Sequence, residues 1–121
     1  MPNSKQDTIE HFQPLSLPIF HMLLALSEGE RHGYALKREI LKRTQGQINL
    51  ASGALYGSIN KMLKDEFIAE SEERPDPHLD DERRRYYRIT PLGRRALQAE
   101  AVRLRHLVRL AEARIELPEL A

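Results

Sequence analysis

The feature that most restricts this 121-residue chain is an apolar seam near its C-terminus. Leu97, Ala101, Leu104, Val108, Ala111 and Ile115 follow one another at spacings of 4, 3, 4, 3 and 4, the a/d pattern of a helix built to meet another helix. Leu107 and Leu110 widen the seam beyond a narrow zipper. Thr90 supplies an N-cap ahead of it, and Pro91 stands at the first helical position, where a missing N–H costs little. A helix of about 25 residues would run roughly 37 Å, longer than the small domain before it can cover. The seam therefore predicts pairing with the same helix of a second copy, the alternative being that it folds back on its own domain.

Ser52–Leu63 carries the second constraint, because its two faces differ. Leu55, Ile59, Met62 and Leu63 make one apolar helical stripe, with Ser52 as the expected N-cap. The opposite face is Gly53, Tyr56, Gly57, Asn60, Lys61 and Lys64, and it contains no acid. Such a face lets a helix approach a polyanion, donate to phosphates and present side chains to base edges; otherwise it is the solvated side of an ordinary amphipathic helix. Asn60 and Lys61 occupy the positions for base edges and Lys64 one for the backbone. Tyr56 either meets phosphate or sugar, or packs half-buried. Ser52 at a helix N-terminus is also a candidate phosphate donor.

The remaining elements fall around these two. Residues 1–14 carry no periodicity and read as an arm. A strongly apolar helix is predicted from Ser16 to Gly29. A second runs from Gly33 to Thr44 with Ala35 or Leu36 and Ile40 inward, Lys37, Arg38, Lys42 and Arg43 outward, and Gly46 as its stop. Ile48-Asn49-Leu50 alternates and reads as a very short strand. Phe67–Ser71 and Arg84–Thr90 read as strands around a polar loop, hence a long hairpin. The expected class is mainly α with a small β-hairpin: a winged helix-turn-helix over 15–90, plus a long C-terminal dimerisation helix within 91–121.

Net charge is +1, but the charges are segregated. Residues 28–64 carry +4, residues 65–82 carry −8, and Arg83, Arg84, Arg85 and Arg88 return +4. Basic patches separated by an acidic insert bear on partners rather than on fold. Lys37, Arg83, Arg84 and Arg85 are candidates to hold phosphates, the three arginines also being placed to neutralise Asp80, Asp81 and Glu82. There is no cysteine, hence no disulfide or thiolate metal site. The five histidines lack ligand spacing, and no phosphate loop, nucleophile–base pair or apolar carboxylate pair occurs. The expectation is a cytoplasmic binding protein, not an enzyme, with no cofactor, no metal and no membrane span.

Three blocks carry a family resemblance: His32-Gly33-Tyr34-Ala35-Leu36, Gly53-Ala54-Leu55-Tyr56, and Arg85-Tyr86-Tyr87-Arg88-Ile89-Thr90-Pro91-Leu92-Gly93. In this order and spacing they resemble the PadR-like transcriptional regulators over about residues 15–115. The resemblance implies a homodimeric repressor that binds double-stranded DNA at an inverted-repeat operator and releases it when a small molecule or another signal is sensed. Chain length is similar to the small subfamily, whose single C-terminal helix makes the dimer. Some small relatives stack flat drugs on tryptophan, which this chain lacks, and Gly57 stands where the family often has proline. Two other readings stay open at this point: a winged-helix module that binds a protein through its acidic loop, and a small-molecule sensor without a direct operator role.

Overall fold

The computed structural model describes residues 14–71 and 85–119. Its elements are α1 (Leu17–Ser27), β1 (Arg31–His32), α2 (Gly33–Arg43), α3 (Ser52–Lys64), β2 (Ile68–Glu70), β3 (Tyr86–Ile89) and α4 (Pro91–Glu112). The three strands form one antiparallel sheet in the order β1-β3-β2. Ile68 is opposite Ile89 and Glu70 opposite Tyr87, while Arg31 is opposite Tyr87 and His32 opposite Tyr86.

Local chemistry explains where the helices start and stop. The Ser16 hydroxyl accepts the Ile19 N–H at 3.3 Å, with Pro18 in the first turn of α1. At α2 the cap is His32, whose Nδ1 accepts the Ala35 N–H at 3.0 Å. Two helices end in the same paired-hydrogen-bond turn. After α2, Gly46 N–H donates to Leu41 and Gln45 N–H to Lys42; after α3, Phe67 N–H donates to Met62 and Glu66 N–H to Leu63. The left-handed residues these turns require are Gln45 (φ 55°) and Glu66 (φ 64°). Thus α2 ends at Arg43, one residue before the expected stop, with Gly46 completing the turn rather than opening it.

Two expectations need correction. Residues 48–50 form no strand: the Ile48 N–H goes to the Thr44 hydroxyl at 3.0 Å, and Leu50 is buried in the core. The short strand is Arg31–His32 instead, on the other side of α2, where Tyr86 and Tyr87 of β3 supply its partners. The N-cap of α3 is Ala51, without a side-chain hydrogen bond, so Ser52 is the first helical residue rather than the cap.

The core gathers Met22, Leu23 and Leu26 of α1, Leu36 and Ile40 of α2, Leu55, Ile59 and Met62 of α3, Phe67, and the first turns of α4. The α4 N-terminus is bolted to the start of β2. The Thr90 backbone N–H donates to the Phe67 carbonyl, its hydroxyl reaches the Glu66 and Phe67 carbonyls at 2.6 and 3.0 Å, and that hydroxyl accepts the Gly93 N–H.

Glu100 of α4 is a charged residue inside this packing, only 2% exposed. The Arg103 guanidinium meets it with two bonds, at 3.0 and 2.7 Å, and the Leu15 backbone N–H donates to it as well. The Arg103 hydrogen bond, aided by Leu15 and opposed by burial, holds its carboxyl below the ordinary value of 4.5. A carboxylate whose folded pKa is depressed stabilises the fold above its unfolded pKa and loses that contribution as pH falls through the folded value. Glu100→Gln should therefore lower stability by about 1–2 kcal/mol near neutral pH. In urea titrations the gap from wild type should shrink below about pH 4.5. A gap that stays constant down to pH 3 would remove the charged pair as its cause.

Candidate nucleic-acid interface

Helix α3 packs through Leu55, Ile59 and Met62 and turns Ser52, Gly53, Gly57, Asn60, Lys61 and Lys64 to solvent. These six predicted site residues therefore share one exposed surface, and Tyr56 lies half-buried at its edge. A Cβ at Gly33 would stand 3.2 Å from Tyr56 Cε1 and 3.2 Å from Ile59 Cδ1. Gly33 is thus what lets α2 cross close to α3, and Tyr56 packs against that crossing. The N-terminal turn of α3 is left without a side-chain cap, so its leading N–H groups, carrying the positive end of the helix dipole, face outward.

Lys61 is 61% exposed and pairs with Asp65 at 3.1 Å, one turn on. The Lys61 end of the pair is open to solvent while the Asp65 side chain is only 15% exposed, so the ammonium can swing outward but leaves a mostly covered carboxylate behind. Asn60 and Lys64 stand beside it without an acid among their i−4 and i+3 neighbours on the exposed face.

Basic residues elsewhere divide into tied and untied groups. Arg43 bonds Glu28 at 2.7 Å and Glu39 at 2.9 Å, and Arg31 bonds Glu39 at 3.1 Å. The Arg43 hydrogen bond pulls the Glu28 carboxyl below its ordinary value, and Glu28 in turn raises Arg43. This network links the end of α1 to α2, and both arginines are paired with acids of the fold. Lys37 is half-buried on α2, and the Arg38 guanidinium lies 6.0 Å from the centre of the exposed Tyr34 ring, at the outer limit for a cation–π contact. Arg85 reaches Glu70 across the strands at 3.6 Å. Arg83, Arg84 and the acidic loop expected over 72–82 lie outside the described residues.

The seam of α4 divides too. Leu97 is only 9% exposed and belongs to its own core, as do Leu92 and Ala96. From Ala101 to Glu112 no residue is buried. Leu104 and Ala111 are half-covered, Val108 is 49% and Leu107 46% exposed. Ile115 falls after the helix end and is exposed.

Three positions carry roles that the sequence did not assign to them. His32 caps α2 and sets its ring edge-on to Tyr86, 5.5 Å between centroids. Asp65 pairs with Lys61, a pairing that its i+4 spacing signalled. Glu100 gave no signal, because a glutamate between two arginine-rich turns reads as surface. Among the described residues no helix is long and apolar enough to cross a membrane, and no group of three or more side chains has the makings of a metal site.

Comparison with known proteins places this architecture. A protein of Lysinibacillus sphaericus is 33% identical over 73 residues, 60% of this chain and 64% of that relative, so the alignment spans less than two thirds of its length. The structure of a transcriptional regulator from Clostridium thermocellum matches with a TM-score of 0.68 at 21% identity, covering 91% of this chain and 96% of that one. Bacillus subtilis PadR in complex with operator DNA matches with a TM-score of 0.63 at 18% identity, over 89% of this chain and 54% of that one. At such identities these likenesses speak for the fold, a winged helix-turn-helix with a long C-terminal helix. The family model for PadR-like transcriptional regulators matches residues 22–99, most of the chain and all three motif blocks, and the chain therefore belongs to the PadR-like family of transcriptional regulators.

Proposed function

We propose that the protein is a cytoplasmic homodimeric repressor that acts by binding DNA rather than by catalysis. In this reading α3 enters the major groove of an operator with inverted-repeat symmetry, and two copies read half-sites about 34 Å apart. The observation that carries it is the exposed face of α3, with two ammonium groups, an amide and an uncapped N-terminal turn. The operator-bound Bacillus subtilis PadR, of similar fold, supports it. Asn60 and Lys61 reach base edges, Asn suiting adenine and Lys guanine acceptors. Ser52, Gly53, Gly57, Lys64 and Lys37 lie along the backbone path with Tyr56 packed behind them, and Arg83, Arg84 and Arg85 hold flanking phosphates.

Release follows when a small molecule or another signal favours a setting of the two heads that no longer spans the half-sites. Lys61→Ala should weaken binding to selected operator fragments by about 1–3 kcal/mol and blur base preference. Lys64→Ala should weaken all sequences alike and lower the salt slope by about one. Fluorescence anisotropy across a salt series separates the two, and equal affinities for wild type and Lys61→Ala would strike that residue from the contact set.

A further inference from the structure

Between the first turn of α1 and the flank of α3 lies a cavity of about 490 Å³, within the range of small-molecule sites. Pro14, Leu15, Ile19 and Ala54 supply apolar wall, with Met62 and Phe67 closed beneath them, and Gly57 opens onto it, since a Cβ there would meet nothing within 4 Å. The Lys61–Asp65 pair stands in the same wall, and its two members are unequally placed. The Asp65 side chain is 15% exposed, whereas Lys61 is 61% exposed. Asp65 also terminates α3, where the helix dipole favours a cation. Across the cavity, the α1 N-terminus is capped by its own Ser16 hydroxyl. The charge built into the wall is therefore the carboxylate, and its counter-ion arrives on a flexible tether rooted on the outer face.

We propose that this cavity binds a small hydrophobic cation, an aryl- or alkylammonium compound. Its ammonium replaces that of Lys61 at Asp65, and its apolar body lies against Pro14, Leu15, Ile19 and Ala54. Occupancy frees Lys61 on the face assigned to DNA, so the ligand strengthens DNA binding. That second step rests on the DNA-binding reading; the first does not.

The test uses the full chain and three probes of one shape: 1-naphthylmethylammonium, 1-naphthylmethanol and 1-naphthoate. Calorimetry should find the ammonium at least tenfold tighter than the alcohol and the acid, with amide shifts centred on Ala54, Gly57 and Ser58 in nitrogen–proton spectra. Asp65→Asn should bring the ammonium down to the level of the alcohol, and Gly57→Leu should weaken both. Equal binding of ammonium and alcohol, tightest binding of the acid, shifts centred elsewhere, or no binding at all would overturn the site. Should Asp65→Asn fail to fold, the wild-type ranking of the three probes decides alone. In a separate titration with a random-sequence duplex at fixed salt, saturating ammonium should raise wild-type affinity two- to fivefold and leave Lys61→Ala unchanged. Absence of any DNA binding would sink the proposed function while leaving the ligand result standing.

Discussion

Gly93→Ala should be the most damaging glycine-to-alanine change among the described glycines, costing about 3 kcal/mol. Gly93 sits in the first turn of α4, directly on the Phe67 carbonyl. An added Cβ would run into that carbonyl and stand 2.9 Å from Ile89 Cγ1. Neither neighbour can yield cheaply. The Phe67 carbonyl already accepts the Thr90 N–H at 3.0 Å and takes part of the Thr90 hydroxyl, and Ile89 is buried in β3. Relieving the clash means lifting α4 off the sheet and losing the bonds that hold its N-terminus. For a domain of this size the melting temperature should fall by about 10–20 °C.

Gly57→Ala makes the same chemical change in α3, where nothing lies within 4 Å of the new methyl. There the helix gains about 0.5–1 kcal/mol from reduced chain entropy in the unfolded state. Opposite signs from one substitution type, read by thermal melts followed in the far ultraviolet, isolate the contact at Phe67 as the cause. A Gly93→Ala variant that melts within 2 °C of wild type would refute it.

How much of this was legible depended on whether the deciding contact was local. Thr90 and Pro91 opening α4, Ser16 opening α1, and the inward Leu36 and Ile40 of α2 are all written within a few residues of chain. Strand β1 was not, because two residues cannot display a period and their partners, Tyr86 and Tyr87, lie more than fifty residues away. Ile48-Asn49-Leu50 alternates as a strand does, yet it has no strand partner and the Thr44 hydroxyl takes its first N–H. Ser52 has better capping chemistry than Ala51, but burial of Leu50 sets the entry of the chain one residue early. On the candidate interface the exposed face of α3 could be read from spacing alone. Tyr56 could not be decided until Gly33 was found against its ring, and Glu100 reads as surface until Leu15 and Arg103 close over it.

In the proposed homodimer, Val108→Glu should separate the copies into monomers of about 14.0 kDa while leaving the winged domain folded. The stripe on α4 is continuous, but its two halves meet different surroundings. Leu92, Ala96, Leu97 and Glu100 are buried in the domain, whereas from Ala101 onward nothing on the helix is buried. Leu104, Leu107, Val108 and Ala111 extend the same stripe into solvent over about 11 Å. An apolar patch of this kind marks an interaction surface, and a repeating seam is best satisfied by a second copy of itself. In that proposed pair a carboxylate at Val108 would have to be buried beside apolar side chains of the second copy, at a cost the pairing would not survive.

Val102 supplies the control. It is equally exposed, at 53%, but lies nearly half a turn off the stripe, so Val102→Glu should leave the proposed dimer intact. Light scattering at micromolar concentration reads the masses directly. Melting should rise with protein concentration for wild type and Val102→Glu but not for Val108→Glu. If both half-sites of an operator must be held at once, loss of the dimer also removes the advantage of the second, effectively intramolecular contact. DNA affinity should then fall by about 10²–10⁴-fold although no residue of α3 has changed. A Val108→Glu protein that remains dimeric would mean that the exposed half of α4 serves some other contact, and the two-headed reading of α3 would lose its geometric basis.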